Sequence, residues 1–228
     1  MITASAAVFL LTTIISIILR MKMPDAGLAD VSSWEELAKV DIKIRNENAD
    51  WAIQDQPLDQ VEEKILADLQ KADLIVLVEV TNELSFTGNA IGQKATAIDI
   101  IKGDLAEGEE FEIFTSNHLS IENGEVLYLE WYNYIIPGKK YIVFLQENGL
   151  NDYQKEKSFQ TMEVSFGFPA YYPIDYELEQ DNGMENLNFR DNRGRLLFTD
   201  NQAIVHVYGK IQNKILNKTL SFVRRTVQ

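Results

Sequence analysis

Pairs of carboxylates recur along this chain. Two acids that converge on one cleft with separated pKa values can hydrolyse a glycosidic bond. Nothing in the spacing of the pairs indicates convergence, and a chain with 35 acidic residues contains such pairs by chance. A cell-wall glycan-acting enzyme that uses a Glu/Asp pair is therefore an alternative function. The pairs are Glu109 with Glu110, Glu122 with Glu125, and Glu177 with Glu179.

A histidine and a serine lie close together at His118-Leu119-Ser120, where they would supply a base and a hydroxyl. This segment is predicted to be a polar loop, and no acid is identifiable that would orient the imidazole as catalytic triads require. The other histidine, His206, is far along the chain, so a histidine-based zinc centre is not expected. Lys102-Gly103-Asp104 is explained by a β-turn in which glycine reverses the chain.

Cysteine is absent from the chain, which excludes disulfides, thiolate metal sites and cysteine nucleophiles. Asp181, Asp191 and Asp200 invite a calcium interpretation, but the alternating oxygen ligands of a calcium loop are missing. We therefore predict a protein that is not an enzyme, with no catalytic residue, no metal and no cofactor.

The charge of the chain is strongly negative and unevenly distributed. A formal net charge of -14 argues against nucleic acid as a partner, because phosphates require a basic surface. No Asp or Glu follows Asp200, whereas basic residues recur close to the carboxyl terminus. These residues are Lys210, Lys214, Lys218, Arg224 and Arg225.

The stretch from Ala72 to Gln146 contains the segments that must position any site. Its Val, Ile and Leu residues alternate with the period of two that is typical of strands. We predict a closed or nearly closed antiparallel β-sheet built from these segments, preceded by an acidic amphipathic helix that begins after Pro57. The predicted strands are ADLIVLVEVTNEL, QKATAIDIIKGD, EEFEIFTSN and KKYIVFLQ. The predicted buried face of the helix is Leu58, Val61, Ile65, Leu66 and Leu69, with Asp59, Glu62, Glu63, Lys64 and Asp68 outward.

An aromatic segment, VLYLEWYNYII, lies between the last two of these strands. Such a concentration of rings is typical either of a binding face or of a second layer of the core, and the pattern favours the core. If it is a binding face, its candidate partner residues are Tyr128, Trp131, Tyr132 and Tyr134.

The segment from Ile2 to Leu19 contains no charged residue. As a helix it would extend roughly 27 Å, close to the thickness of a bilayer core. We predict a single-pass membrane anchor, with a cleaved signal peptide as the alternative. Arg20 and Lys22 on its carboxyl-terminal side would, read strictly, place the body in the cytoplasm. A β domain on one anchor is more typical of an exported module, so we predict an extracellular main domain.

The last third of the chain is predicted to be β-rich and then helical. Phe159 to Phe168 is predicted to be a strand, and Asp191-Asn192-Arg193-Gly194 to join NLNF and RLLF as a hairpin. From about Asn201 the apolar residues follow the period of an amphipathic helix. This basic helix would lie either on an anionic membrane or, the favoured interpretation, on the acidic body of its own chain. Its apolar residues are Ile204, Val207, Ile211, Ile215, Leu220, Val223 and Val227.

The order of these segments resembles the netrin-like domain, an OB-type β-barrel also found in tissue inhibitors of metalloproteinases and in bacterial surface proteins. The resemblance covers residues 58 to 150. Its motifs are Ala72-Asp73-Leu74-Ile75-Val76, Ile101-Lys102-Gly103-Asp104, the strand from Glu109 to Thr115, and Ile136-Pro137-Gly138-Lys139-Lys140-Tyr141 continuing to Phe144. Those inhibitors chelate zinc through an amino-terminal cysteine. This chain has none, so the resemblance implies the fold and not that mechanism.

Together these interpretations predict a mainly β protein with flanking helices, centred on an OB-type antiparallel barrel. The predicted function is a membrane-anchored, non-catalytic binding module of a bacterial cell surface, with a protein or other cell-surface partner. A cysteine-free inhibitor of a surface protease is a further alternative. The predicted regions are an anchor at 1–23, a tether with a short helix at 24–56, the barrel at 57–150, a β-rich extension at 151–200 and the basic helix at 201–228.

Overall fold

A computed structural model of the chain describes residues 28, 30–45, 53, 56–87, 90–147, 158–175 and 188–226, without the side chains of Thr87 and of residues 220–226. Within them, α-helices run over Trp34–Leu37 (α1), Leu58–Leu69 (α2), Phe189–Asn192 (α3) and Gln202–Thr226 (α4). Strands run over Ile42–Ile44 (β1), Leu74–Thr87 (β2), Ala90–Lys102 (β3), Glu110–Ser116 (β4), Leu119–Glu122 (β5), Glu125–Tyr128 (β6), Lys140–Glu147 (β7), Ser158–Thr161 (β8) and Tyr171–Pro173 (β9).

Five of these strands close into a barrel. β2 pairs with β3, and β3 with β4, both antiparallel. β4 then pairs with β8 in parallel, and antiparallel pairing of β8 with β7 and of β7 with β2 completes the circle. The protein is thus mainly β with a few helices, and its barrel is consistent with an OB-type barrel. β8, the fifth strand, comes from the segment assigned above to the β-rich extension.

The barrel wall formed by β7 is buried on both faces. Tyr141, Val143 and Leu145 point into the barrel core, whereas Ile142 and Phe144 belong to a second core on the outside. Alternation of side chains across a strand produces this division. The continuous apolar sequence of β7 therefore reflects a strand sandwiched between the barrel interior and a layer of helices.

Helices α2 and α4 form that outer layer. The predicted stripe of α2 is buried at Val61, Ile65 and Leu69, and α4 contributes apolar side chains to the same second core. Those side chains are Ile204, Val207, Tyr208, Ile211 and Ile215. Over these residues the basic helix lies on its own acidic body, as the favoured interpretation predicted.

The orientation predicted for Glu62 is wrong. Its side chain is buried between α2 and α4, where Lys214 contacts the carboxylate and Lys210 Nζ lies 3.8 Å from it. The carboxylate raises the pKa of the Lys214 ammonium. The helical period places Glu62 on the outward face of α2. It contains no information about the second, basic helix that covers this face.

A small sheet, in the order β1-β6-β5, belongs to the same core as the barrel interior. β5 and β6 form a hairpin whose turn residues, Asn123 and Gly124, both have positive φ. That conformation gives a turn whose twist matches the twist of paired strands. Tyr128 at the end of β6 packs against the rings of Phe189 in α3 and of Phe198, and it is fully buried.

Two predictions for the last third of the chain are wrong. The strand predicted from Phe159 to Phe168 ends at Thr161, and a short 3-10 turn follows at Ser165–Gly167. The predicted NLNF–RLLF hairpin is replaced by α3, because the Asn188 side chain accepts a hydrogen bond from Arg190 N and begins a helical turn. Asn188 instead forms an isolated β-bridge with Lys43 of β1, and Leu197 forms one with Tyr132.

None of the described helices is long and apolar enough to cross a membrane. Residues 1–27, which include the predicted anchor, lie outside the described residues.

Candidate functional site

A cavity of about 340 Å³ lies where the parallel strands β4 and β8 end. After Thr115 in β4 and Thr161 in β8, the two segments of the chain diverge. The first continues to β5 and the second to the 3-10 turn. Neighbouring parallel strands whose chains diverge leave a crevice at their carboxyl ends, as in open α/β sheets. The volume is within the range of small-molecule sites, about 300 to 1,000 Å³.

His118 forms one wall of this cavity and is enclosed by aromatic rings. Its imidazole stacks on Tyr134 at 5.6 Å between centroids, with Tyr132 at 5.4 Å and Tyr128 at 6.0 Å in edge contacts. Only 10% of the side chain is exposed, and this burial lowers the pKa of His118 to about 4. The ring is therefore neutral at physiological pH.

Backbone hydrogen bonds fix the segment that carries His118. Its N–H donates to the Tyr134 hydroxyl at 3.0 Å, and its carbonyl accepts from Leu129 N at 2.9 Å. The Asn117 side chain accepts from Leu119 N at 3.0 Å, which forms a tight turn around the histidine. The imidazole is thus held in place before any ligand arrives.

Glu130 lies beside the imidazole, with Oε1 3.8 Å from Nδ1. This is longer than a hydrogen bond, and no hydrogen bond to the ring occurs among the described residues. Sequence reasoning missed this neighbouring acid, which comes from the aromatic segment, and the segment that carries His118 is partly buried. Glu130 is the only acid within VLYLEWYNYII, which is the signal that would have marked it.

The remaining walls combine acid, hydroxyl and aromatic groups. Glu163 lies at the exposed rim, and Tyr132, Phe168 and Tyr171 supply rings. The described lining also includes Thr115, Ser116 and Thr161. Carboxylate, hydroxyl and imidazole groups therefore lie together in the cavity wall.

The four candidate partner residues differ in how accessible they are to a partner. Tyr128, Trp131 and Tyr134 are buried, and Tyr132 is half-buried on the cavity wall. Only the first part of the aromatic segment is a strand, and the chain is irregular between β6 and β7, so regular alternation does not apply. Of the four, a partner could reach Tyr132 without opening the core.

The described carboxylate pairs do not line this cavity. The Glu109 side chain accepts from Ala106 N, Glu122 pairs with Arg45, and Glu125 pairs with Lys43. Glu177 and Glu179 lie outside the described residues, as does Asp181.

Lys102-Gly103-Asp104 is the turn that ends β3, with Gly103 at φ 107° and Lys102 bonded to the Ala72 carbonyl. No group of three or more His, Asp or Glu that could hold a metal ion lies in the part of the chain that the structure describes.

Comparison of the chain with protein-family models and with curated proteins found no significant match. The resemblance to netrin-like domains therefore depends on the motifs and strand order of this chain alone.

Proposed function

We propose that the protein is a non-catalytic binding module of a bacterial cell surface, held by an amino-terminal membrane anchor and built on a netrin-like, OB-type barrel. The observation that carries the binding role is the cavity beside His118, with its fixed walls and charged lining. The uncharged run from Ile2 to Leu19 supports the anchor.

The strand order supports the OB-type assignment. Numbered along the chain, the barrel strands β2, β3, β4, β7 and β8 close in the order 1-2-3-5-4-1, and their single parallel pair joins the third and fifth. OB-type barrels have this topology. The netrin-like motifs lie at the ends of barrel strands. Ala72-Asp73 precedes the first strand, Lys102-Gly103 ends the second, and Pro137-Gly138 precedes the fourth.

The geometry of His118 supports binding over catalysis. Nucleophilic catalysis requires a hydroxyl or thiol within hydrogen-bond reach of a base. Among the described residues no hydroxyl is bonded to the His118 ring, and the three nearest rings hold it against the cavity wall. An imidazole fixed this way can present a polar edge to a bound group.

Blocking the cavity tests this proposal. Ser116 is exposed and lines the cavity, so Ser116→Trp would fill it without disturbing the core. Asn82→Trp, at an exposed position of β2, is the matched control. Small polar and charged compounds would be screened against the full-length chain by ligand-observed NMR.

We expect the screen to find compounds that bind the wild type and Asn82→Trp but do not bind Ser116→Trp. Binding that survives Ser116→Trp in every case would contradict the cavity as the recognition site. Chemical conversion of a bound compound would assign the cavity to an enzyme instead. Protease treatment of intact cells tests the surface location, because an extracellular domain would be degraded while the cells stay intact.

A further inference from the structure

We propose that residues 162 to 168 form a strap along one wall of the cavity beside His118, and that Asp68 of α2 holds this strap closed. The inference rests on the proposed binding function and adds how access to that same cavity is controlled. Asp68 acts on the cavity through the strap and is therefore a positioning residue.

The strap supplies a large part of the cavity wall. It begins where β8 ends at Thr161 and leads toward β9, which starts at Tyr171. A displacement of this connection would change the width of the cavity while the barrel strands keep their pairing. The strap residues that line the cavity are Met162, Glu163, Val164, Gly167 and Phe168.

The backbone of the strap is strained at Phe166. Its φ of 61° and ψ of 19° lie in the left-handed region, and Gly167 follows with a φ of 64°. Glycine adopts this conformation freely, whereas it is unfavourable for a bulky side chain. None of the residues Ser165–Gly167 is fully buried, so packing alone does not hold the turn. Strained backbone persists where specific contacts hold it, and it is frequent at ligand clamps.

Two side chains of α2 provide those contacts. Asp68 Oδ2 accepts hydrogen bonds from Ser165 N at 3.1 Å and from Ser165 Oγ at 2.5 Å. Lys64 Nζ lies 5.2 Å from the centre of the Phe166 ring, a cation–π contact. Hydrogen bonds with Lys71 and Ser165 lower the pKa of the Asp68 carboxyl to about 2, so the carboxylate is ionised at physiological pH. Its bonds to the strap are therefore of the stronger, charge-assisted kind.

These observations define an element with two states. While Asp68 bonds Ser165, the strap is held against α2 and Phe166 keeps its left-handed conformation. When these bonds break, Phe166 returns to an ordinary backbone conformation and the strap leaves the cavity wall. Opening of the strap then exposes the interior of the cavity, which gives a ligand larger than the closed cavity a way in.

Thiol labelling of the full-length chain measures this opening without a ligand. The chain has no cysteine, so an introduced thiol is the only one that reacts with the neutral reagent 4,4′-dithiodipyridine. Thr115→Cys places a thiol at a buried position of the cavity wall, and Val80→Cys places one in the barrel core. Local opening of the strap accelerates labelling of the first thiol alone, whereas global unfolding accelerates labelling of both.

Asp68→Asn is combined with each thiol variant. We expect it to accelerate labelling of Thr115→Cys about 10- to 100-fold, as the loss of hydrogen bonds to a charged group implies, and to leave labelling of Val80→Cys within about twofold. Lys71→Gln is the matched control, because Lys71 contacts the other carboxylate oxygen, Oδ1, at 2.7 Å. It should leave both labelling rates unchanged.

Two substitutes keep the test decisive if a variant does not fold. Ser165→Ala removes the hydroxyl donor from the strap side and should accelerate labelling of Thr115→Cys about three- to tenfold. Ala170→Cys supplies a second buried thiol in the cavity wall.

Three results would overturn the strap. They are equal acceleration of both thiols by Asp68→Asn, no acceleration of either, and labelling of Thr115→Cys at the rate of a free thiol with Asp68 intact. Because the assay requires no ligand, failure of the strap here and failure of the binding function in the compound screen are separate results.

Discussion

Acidification is expected to destabilise the fold through His118. Burial lowers the pKa of its imidazole from 6.5 to about 4 in the folded chain. Between these two values the unfolded chain binds a proton that the folded chain does not, so stability is complete above the unfolded pKa and falls as the pH decreases toward 4. The full penalty is about 3 kcal/mol, at about 1.4 kcal/mol for each pKa unit.

Most of that penalty develops within an accessible pH range. From about pH 7.5 to about pH 5 the linkage relation gives a loss of roughly 2 kcal/mol from this residue alone. Glu130 Oε1 lies 3.8 Å from the ring, and its attraction for a protonated imidazole opposes the effect of burial. The tyrosine side chains that surround it carry no charge in this range, since the ordinary tyrosine pKa is about 10. Burial raises the pKa of Tyr128, Tyr132 and Tyr134 further.

Urea denaturation of the wild type and of His118→Phe at both pH values isolates this contribution. Phenylalanine retains the ring packing and cannot be protonated, so the variant should gain about 2 kcal/mol relative to the wild type on acidification. NMR titration of the two histidines provides the direct measurement. A His118 midpoint at or above 6.5, with no differential loss of stability, would refute the reasoning, since Glu130 and water would then outweigh burial.

Three further predictions concern stability and are measured by the same denaturation assay. Glu62→Gln should cost about 1 to 2 kcal/mol, because a buried carboxylate loses its ionic contacts with exposed lysines; an unchanged midpoint would contradict the role of this pair. Gly103→Ala should cost about 2 to 3 kcal/mol, since φ is positive and a Cβ would lie 2.8 Å from Leu74 Cδ1. Gly108→Ala, with positive φ but open space, should cost less. Asp68→Asn should cost about 1 to 2 kcal/mol and loosen the 3-10 turn, because Asp68 accepts from Ser165 N and Oγ.

Asp68 also provides a control on pH dependence. Its hydrogen bonds with Lys71 and Ser165 lower the pKa of its carboxyl to about 2. Its contribution is therefore present above the ordinary carboxyl pKa and is lost only in stronger acid than that which protonates His118. Asp68→Asn should leave the change between about pH 7.5 and about pH 5 as in the wild type.

The elements with a strong local pattern were predictable from the sequence. The apolar runs of β2 and β7, and the helical stripe of α2, lie where the sequence predicted a strand or a helix. The Ser33 cap of α1 was equally local, since its hydroxyl accepts from Glu36 N three residues later. Period and capping involve neighbours along the chain, so the sequence contains all the information they require.

Tertiary structure alone decided which of these elements meet. β8 closes the barrel across a long separation in sequence, and α4 covers Glu62, neither of which a local pattern can show. The cavity depends on such encounters as well. Glu130 and His118 come together only because β5 and β6 pair, which buries the imidazole among tyrosines and changes its pKa. Sequence determined the faces of the strands and helices, whereas the environment of each charged group depends on what packs against it, and that packing is set by the whole fold.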